Sequence, residues 1–209
     1  MKVLIIGAIG ETGKLIIDQC IHKGFDVSAF ARTPSKLDAF HSINIIYGDI
    51  LDYSSLKKAV IGQDLVICAV GVPMGQKIDN SRSKGTSNLI KAMKAANLSR
   101  LIAISTIGVG SSRQNMNLVS KCLYPLIVGK ARLLEAQKQE DFIMRSNLEW
   151  TIVRPPRLVT NNNKVNIDVS DNLKTTLSDT LPRCNLAELV VDLSHCDTYI
   201  NKAVTVVGR

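Results

Sequence analysis

Short apolar runs rich in Val and Ile recur along the chain and alternate with longer segments of helical periodicity. The runs Val3–Ile6, Asp26–Phe30, Ile43–Tyr47, Leu65–Ala69, Leu101–Ser105, Thr151–Arg154 and Val204–Val206 read as strands, with helices between most of them. Near-continuous apolar strands separated by helices imply βαβ units around a parallel sheet buried on both faces. The fold class expected is therefore α/β, a Rossmann-type doubly wound parallel sheet. No composition shift, linker or repeat divides the sequence, so residues 1–209 are expected to form one domain.

Local chemistry marks some of the boundaries. Gly24 follows Lys23 and suits the left-handed residue that ends a first helix. Asn185 stands three residues before Glu188, the spacing of a reciprocal cap, so a helix is expected to begin there. The stretch from Leu158 to Pro182 holds Asn161-Asn162-Asn163 and several hydroxyl residues without periodicity. It is expected to be irregular, with at most one short strand, and to form a small C-terminal lobe on the substrate side.

The sharpest local signal is Gly7-Ala8-Ile9-Gly10-Glu11-Thr12-Gly13, directly after the first strand and opening into a helix near Thr12. Glycines at such a turn let backbone approach a pyrophosphate, while the helix N-terminus presents unpaired N–H groups and partial positive charge. The second strand ends at Phe30-Ala31-Arg32, where an NAD-specific protein places a carboxylate against the ribose 2′-hydroxyl. No acid stands there: Asp26 is at the other end of the strand and Asp38 belongs to the following segment. Arg32 and Lys36 instead supply positive charge for a 2′-phosphate, and the expected cofactor is NADP.

The loop spacing, G-x-x-G-x-x-G, is similar to that of atypical short-chain dehydrogenases/reductases, which carry G-A-T-G-x-T-G; Ile9 stands here in place of the usual Thr. With Ala103-Ile104-Ser105-Thr106, the run Leu148–Pro156 and Ala203-Val204-Thr205-Val206 also in place, the chain resembles the compact NAD(P)-binding group that includes biliverdin-IXβ/flavin reductase and the NmrA-like proteins. The resemblance implies cofactor contacts from Gly7, Ile9, Gly10, Glu11, Thr12, Gly13, Asp49, Ile50, Ala69, Val70, Gly71, Ser105, Thr106 and Pro156. For Asp49 a second reading stands equally, a capping carboxylate for the helix near Ser54.

The wider superfamily uses a Tyr-x-x-x-Lys pair as proton donor and ribose holder. Here Leu126 lies four residues before Lys130, and Tyr124 is offset by two, which on one continuous helix turns it off the required face. The candidate catalytic groups are thus Ser105, Thr106 and Lys130, and Lys130 also reads as a surface lysine and the two hydroxyls as groups satisfied by local backbone. Without an activated acid, the chemistry implied is hydride delivery to a small planar acceptor, a flavin, quinone or linear tetrapyrrole, held by the 72–83 loop and the Leu158–Pro182 segment. The alternative is a non-catalytic NADP(H)-sensing protein that acts on a protein partner.

Composition adds limits. The formal charge is +8, from 26 Lys plus Arg against 18 Asp plus Glu, which favours anionic partners. Nucleic acid is not expected, because the four Phe, four Tyr and one Trp form no stacking platform. The apolar run before Gly7 is too short for a signal peptide or a membrane span, so a cytoplasmic protein without membrane contact is expected. The five cysteines show no metal-ligand spacing and are read as mostly buried thiols, with no metal site.

Overall fold

The computed structural model describes residues 1–72, 75, 78–161 and 163–209, apart from the side chain of Pro34. Its strands are β1 (Lys2–Ile6), β2 (Asp26–Ala31), β3 (Asn44–Tyr47), β4 (Leu65–Cys68), β5 (Arg100–Ile104), β6 (Glu149–Arg154), β7 (Arg157–Val159), β8 (Ile167–Ser170), β9 (Thr180–Pro182) and β10 (Lys202–Gly208). The helices are α1 (Glu11–His22), α2 (Tyr53–Ala59), α3 (Ser81–Ala95), α4 (Gly110–Gln114), α5 (Leu118–Val128), α6 (Lys130–Met144) and α7 (Arg183–Asp192).

The main sheet runs β3-β2-β1-β4-β5-β6-β10-β8. All its pairings are parallel except the last, in which β8 lies antiparallel to β10. The strand order reverses at β1, so the chain leaves the carboxyl ends of β1 and β4 in opposite directions and a crevice opens between the two connections, where such sheets bind ligands.

Alternation along each strand divides the core between two faces. Val3 and Ile5 point to one side and pack with Ile16 and Ile17 of α1 and Leu186, Ala187 and Val190 of α7. Leu4 and Ile6 point to the other and meet Leu56 of α2, Leu89 and Met93 of α3 and Ile143 of α6. Both faces are covered by helices, which is why the strands read as apolar runs and not as alternating ones.

Three boundary expectations change. Gly24 does adopt positive φ (74°) after α1, but α7 starts at Arg183 behind Pro182 and has no side-chain cap. Asn185 lies inside the helix, where its amide accepts from the Val165 N–H at 3.2 Å and donates to the Val165 carbonyl at 2.8 Å. A buried amide that can satisfy a neighbouring loop in both directions outcompetes the local cap. The cap of α2 is Asp52, not Asp49, accepting from the Ser54 and Ser55 amides. The 158–182 segment, of which Asn162 lies outside the described residues, contributes three short strands: β7 and β9 form a separate parallel pair, and β8 extends the main sheet. Its strands find partners far away in sequence, which periodicity within the segment does not reveal.

Candidate active site

A cleft of about 770 Å³ opens along the carboxyl edge of the sheet. The glycine loop forms one end. Gly7 has φ of 86°, and a Cβ there would stand 2.7 Å from the Ala69 carbonyl oxygen; one on Gly13 would stand 2.3 Å from the Gly7 oxygen. Both positions exclude any side chain, so the β1 turn can pack on β4 and α1 can begin directly above it. Gly10 precedes α1 without a side-chain cap. The first-turn amides are therefore left for a ligand, and Gly10, Glu11, Thr12 and Gly13 all line the cleft. These residues fit a dinucleotide pyrophosphate.

Ile9, Ala69, Val70, Gly71, Ser105, Thr106 and Pro156 line the same cleft, so most of the residues expected from sequence converge on it. Gly7 shapes it from beneath. Ile50 does not reach it: the side chain is buried in the core beside α3, where it fills the space above Gly85. Arg32, Lys36 and Asp49 lie outside the lining, just beyond β2 and β3. Arg32 stands 3.8 Å from the Asp49 carboxylate. Its charge also helps hold the Asp79 carboxyl below the usual carboxylate range, an effect led by the hydrogen bond from Ser81. The 72–83 loop contributes Val72, Ile78 and Arg82 to the lining; Pro73, Met74, Gln76 and Lys77 lie outside the described residues.

The hydroxyls at the end of β5 have side-chain partners, not the local backbone ones considered above. Ser105 Oγ donates to Glu140 Oε1 at 2.5 Å. Glu140 is in turn held by Arg154, whose Nε and Nη2 donate to it at 3.0 and 2.7 Å. Both members of that ion pair are fully buried. Ser105 thus has its proton committed to the protein and can offer the cleft only a lone pair.

Thr106 Oγ1 lies 3.1 Å from the Tyr124 hydroxyl, and both residues line the cleft. Tyr124 was placed off the functional face on the assumption of one continuous helix through Lys130. The helix is not continuous. Pro125 lies in the last turn of α5, and Gly129, with φ of 94°, ends that helix and separates it from α6. The break resets the angular relation on which the offset was computed, and Tyr124 turns inward. Gly108, at φ of 83°, makes room for it, since a Cβ there would stand 2.8 Å from the tyrosine ring. Burial pushes the Tyr124 phenol up, against the opposing pull of the Thr106 hydrogen bond and the Arg82 charge.

Lys130 is corrected in the opposite sense. It is exposed and lines a second depression behind α5, not the cleft. Among the described residues the cations of the cleft are Arg82, Arg132, Arg157 and Arg183, against the acids Glu11 and Glu135, and of these arginines sequence reasoning pointed only to Arg157, beside Pro156 on the loop facing the nicotinamide position. Arg82 is buried, donating to Gln139 Oε1 at 2.7 Å and to the Ile104 carbonyl at 3.3 Å. Arg183 reaches from the start of α7 to Glu11 at 3.0 Å and to Thr160 Oγ1 at 2.7 Å, tying the small lobe to the glycine loop. Scattered arginines carry no spacing signal, so only the tertiary structure brings them together.

Residues 7–197 match the family model described as NAD(P)H-binding. The chain belongs to this family. It is 29% identical over its whole length to an uncharacterised chloroplastic protein of Arabidopsis thaliana, covering 77% of that protein. It is 26% identical to the phenylcoumaran benzylic ether reductase TP7 of Nicotiana tabacum, with 85% of this chain aligned but only 60% of the reductase. Among solved structures, ChuY, an anaerobillin reductase from Escherichia coli O157:H7, superposes with a TM-score of 0.84 over 100% of this chain and 97% of its own, at 18% identity. The chain is thus an NAD(P)-binding, Rossmann-type protein with similarity to reductases. No group of three or more metal-ligating side chains occurs among the described residues. No helix among them is long and apolar enough to cross a membrane. All five cysteines are free; only Cys20 and Cys68 are buried, and burial pushes the Cys20 thiol up to about 12.

Proposed function

We propose that this protein is an NADPH-dependent reductase of a small planar acceptor. The observation that carries the reading is the Thr106–Tyr124 hydroxyl pair in a largely apolar cleft continuous with the glycine loop. Gly10, Glu11, Thr12 and Gly13 would hold the pyrophosphate, and Arg32 and Lys36 the 2′-phosphate. The reduced nicotinamide, when bound, supplies a hydride.

The chain's own residues do the rest. Ile9, Val70, Pro155 and Pro156 give apolar walls that exclude water and stack a flat acceptor. The raised phenol of Tyr124 keeps its proton at neutral pH, so Oη can donate a hydrogen bond to an acceptor heteroatom and stabilise the charge that the hydride brings, while the balancing proton comes from solvent. Thr106 fixes the phenol's orientation, and Ser105, locked by Glu140, offers an acceptor to an amide N–H.

The test is NADPH oxidation with FMN, quinones and linear tetrapyrroles, repeated with Tyr124→Phe. Turnover with at least one acceptor is expected, and kcat falls about 100-fold in the variant, the lower range for loss of one hydrogen-bond donor to developing charge, while NADPH affinity is unchanged. Tight NADPH binding without turnover on any acceptor would overturn the reading.

A further inference from the structure

Helix α5 is inverted. Its hydroxyl groups, those of Ser120 and Tyr124, belong to its two buried residues. Its solvent face is apolar, with Leu118 80% exposed, Leu126 70%, Val119 63% and Ile127 58%. Successive positions turn by about 100°, so Leu118, Val119, Leu123, Leu126 and Ile127, with the exposed Cys122, share one half of the helix surface. An apolar face of this width on a surface helix marks an interaction site.

The charges around it indicate what covers it. Beside the face, Leu126, Leu133, Leu134 and Pro125 floor a depression of about 710 Å³ whose charged lining is Arg113, Lys121 and Lys130, with no acid. None of these three cations forms an ion pair among the described residues. The sequence from Leu101 to Leu134 contains no Asp or Glu at all. A second copy docking on the same face would bring these cations against their counterparts with no carboxylate between them. An anionic lipid surface meets both features at once, the apolar stripe entering the acyl boundary and the cations meeting phosphate headgroups.

We infer that α5 and its basic depression dock this protein onto anionic lipid bilayers as a peripheral, interfacial contact. This sets aside the expectation of no membrane contact, which rested on the absence of a spanning segment and does not bear on a helix that lies in the interface. The inference stands apart from the redox reading, because nothing in it requires turnover.

The test is flotation of the full chain with vesicles of phosphatidylcholine alone and of phosphatidylcholine mixed with phosphatidylglycerol. The protein is expected to float only with the mixed vesicles, and less so as salt rises. The double variants Arg113→Glu/Lys121→Glu and Leu118→Ser/Leu126→Ser change exposed side chains outside the cleft. Each is expected to lower the bound fraction about tenfold or more, with circular dichroism and NADP binding preserved. No flotation with mixed vesicles, equal flotation with neutral ones, or flotation that neither variant reduces would overturn the inference. So would light scattering that shows a dimer abolished by Leu118→Ser/Leu126→Ser in a protein that does not bind vesicles.

Discussion

Arg32 stands 64% exposed at the end of β2 with Asp49 3.8 Å away. A surface pair at that separation contributes roughly 0–1 kcal/mol, whereas a phosphate dianion offers the guanidinium shorter, charge-assisted and bidentate contacts. Under the NADPH reading proposed above, the phosphate would win this competition and Asp49 would not neutralise the site. Arg32→Ala is expected to weaken NADPH binding about tenfold, the effect of losing one partly screened hydrogen bond to a charged group, and to leave NADH affinity unchanged. Titration calorimetry with both nucleotides checks this; equal losses for the two would refute the 2′-phosphate role. At this scale the glycine loop was fully legible, because three glycines within seven residues stand directly after an apolar strand, although the backbone that excludes a side chain at Gly7 is that of Ala69, far along the chain. Arg82, Arg132 and Arg183 were not, because an isolated arginine in sequence does not differ from a solvated one until a fold surrounds it.

Elements read from periodicity were recovered wherever their partners are regular. All seven expected strands exist, since each is an apolar run covered on both faces. The failures lie in the segments whose conformation depends on distant groups: β7 to β9, and the α5–α6 junction, where Pro125 and Gly129 were on view but were not read as a break. That junction decides which side chain faces the cleft, so one misread boundary left Tyr124 out of the residues expected there. The buried Glu140–Arg154 pair fixes β6 against α6. Removing one charge strands the other in the core, a loss of about 3–5 kcal/mol. Glu140→Gln is expected to lower Tm by about 10 °C, at roughly 2–4 °C per kcal/mol for a chain of this size. The double variant Glu140→Gln/Arg154→Met recovers most of that loss, because no buried charge remains unpaired. Differential scanning calorimetry of both variants checks the contrast.

For the whole molecule, the cleft lies between the glycine loop and the small lobe, joined by the Arg183–Glu11 contact. A dinucleotide that touches both sides binds only the folded chain and stabilises it by mass action, about 2.7 kcal/mol at a concentration of 100 Kd. Thermal denaturation is expected to shift upward by about 5–10 °C with saturating NADP, and by less with NAD at the same concentration. Equal shifts would remove the cofactor preference, and no shift with either would contradict the cleft as a nucleotide site. The doubly wound topology was readable from strand and helix alternation alone. The antiparallel addition of β8 was not, since a four-residue strand at the sheet edge has no signature apart from its partner.

Helix α5 belongs to two surfaces at once. Tyr124, Ile127 and Val128 form part of the cleft wall, while Leu118, Val119 and Leu126 of the same helix face outward. The two surfaces share one helix, so an occupant of the outer face that shifted α5 would change the free energy of filling the cleft. By linkage the effect is reciprocal: the factor by which outer-face occupancy changes nucleotide affinity equals the factor by which nucleotide changes outer-face affinity. Cofactor level and location would then be read by a single eleven-residue helix.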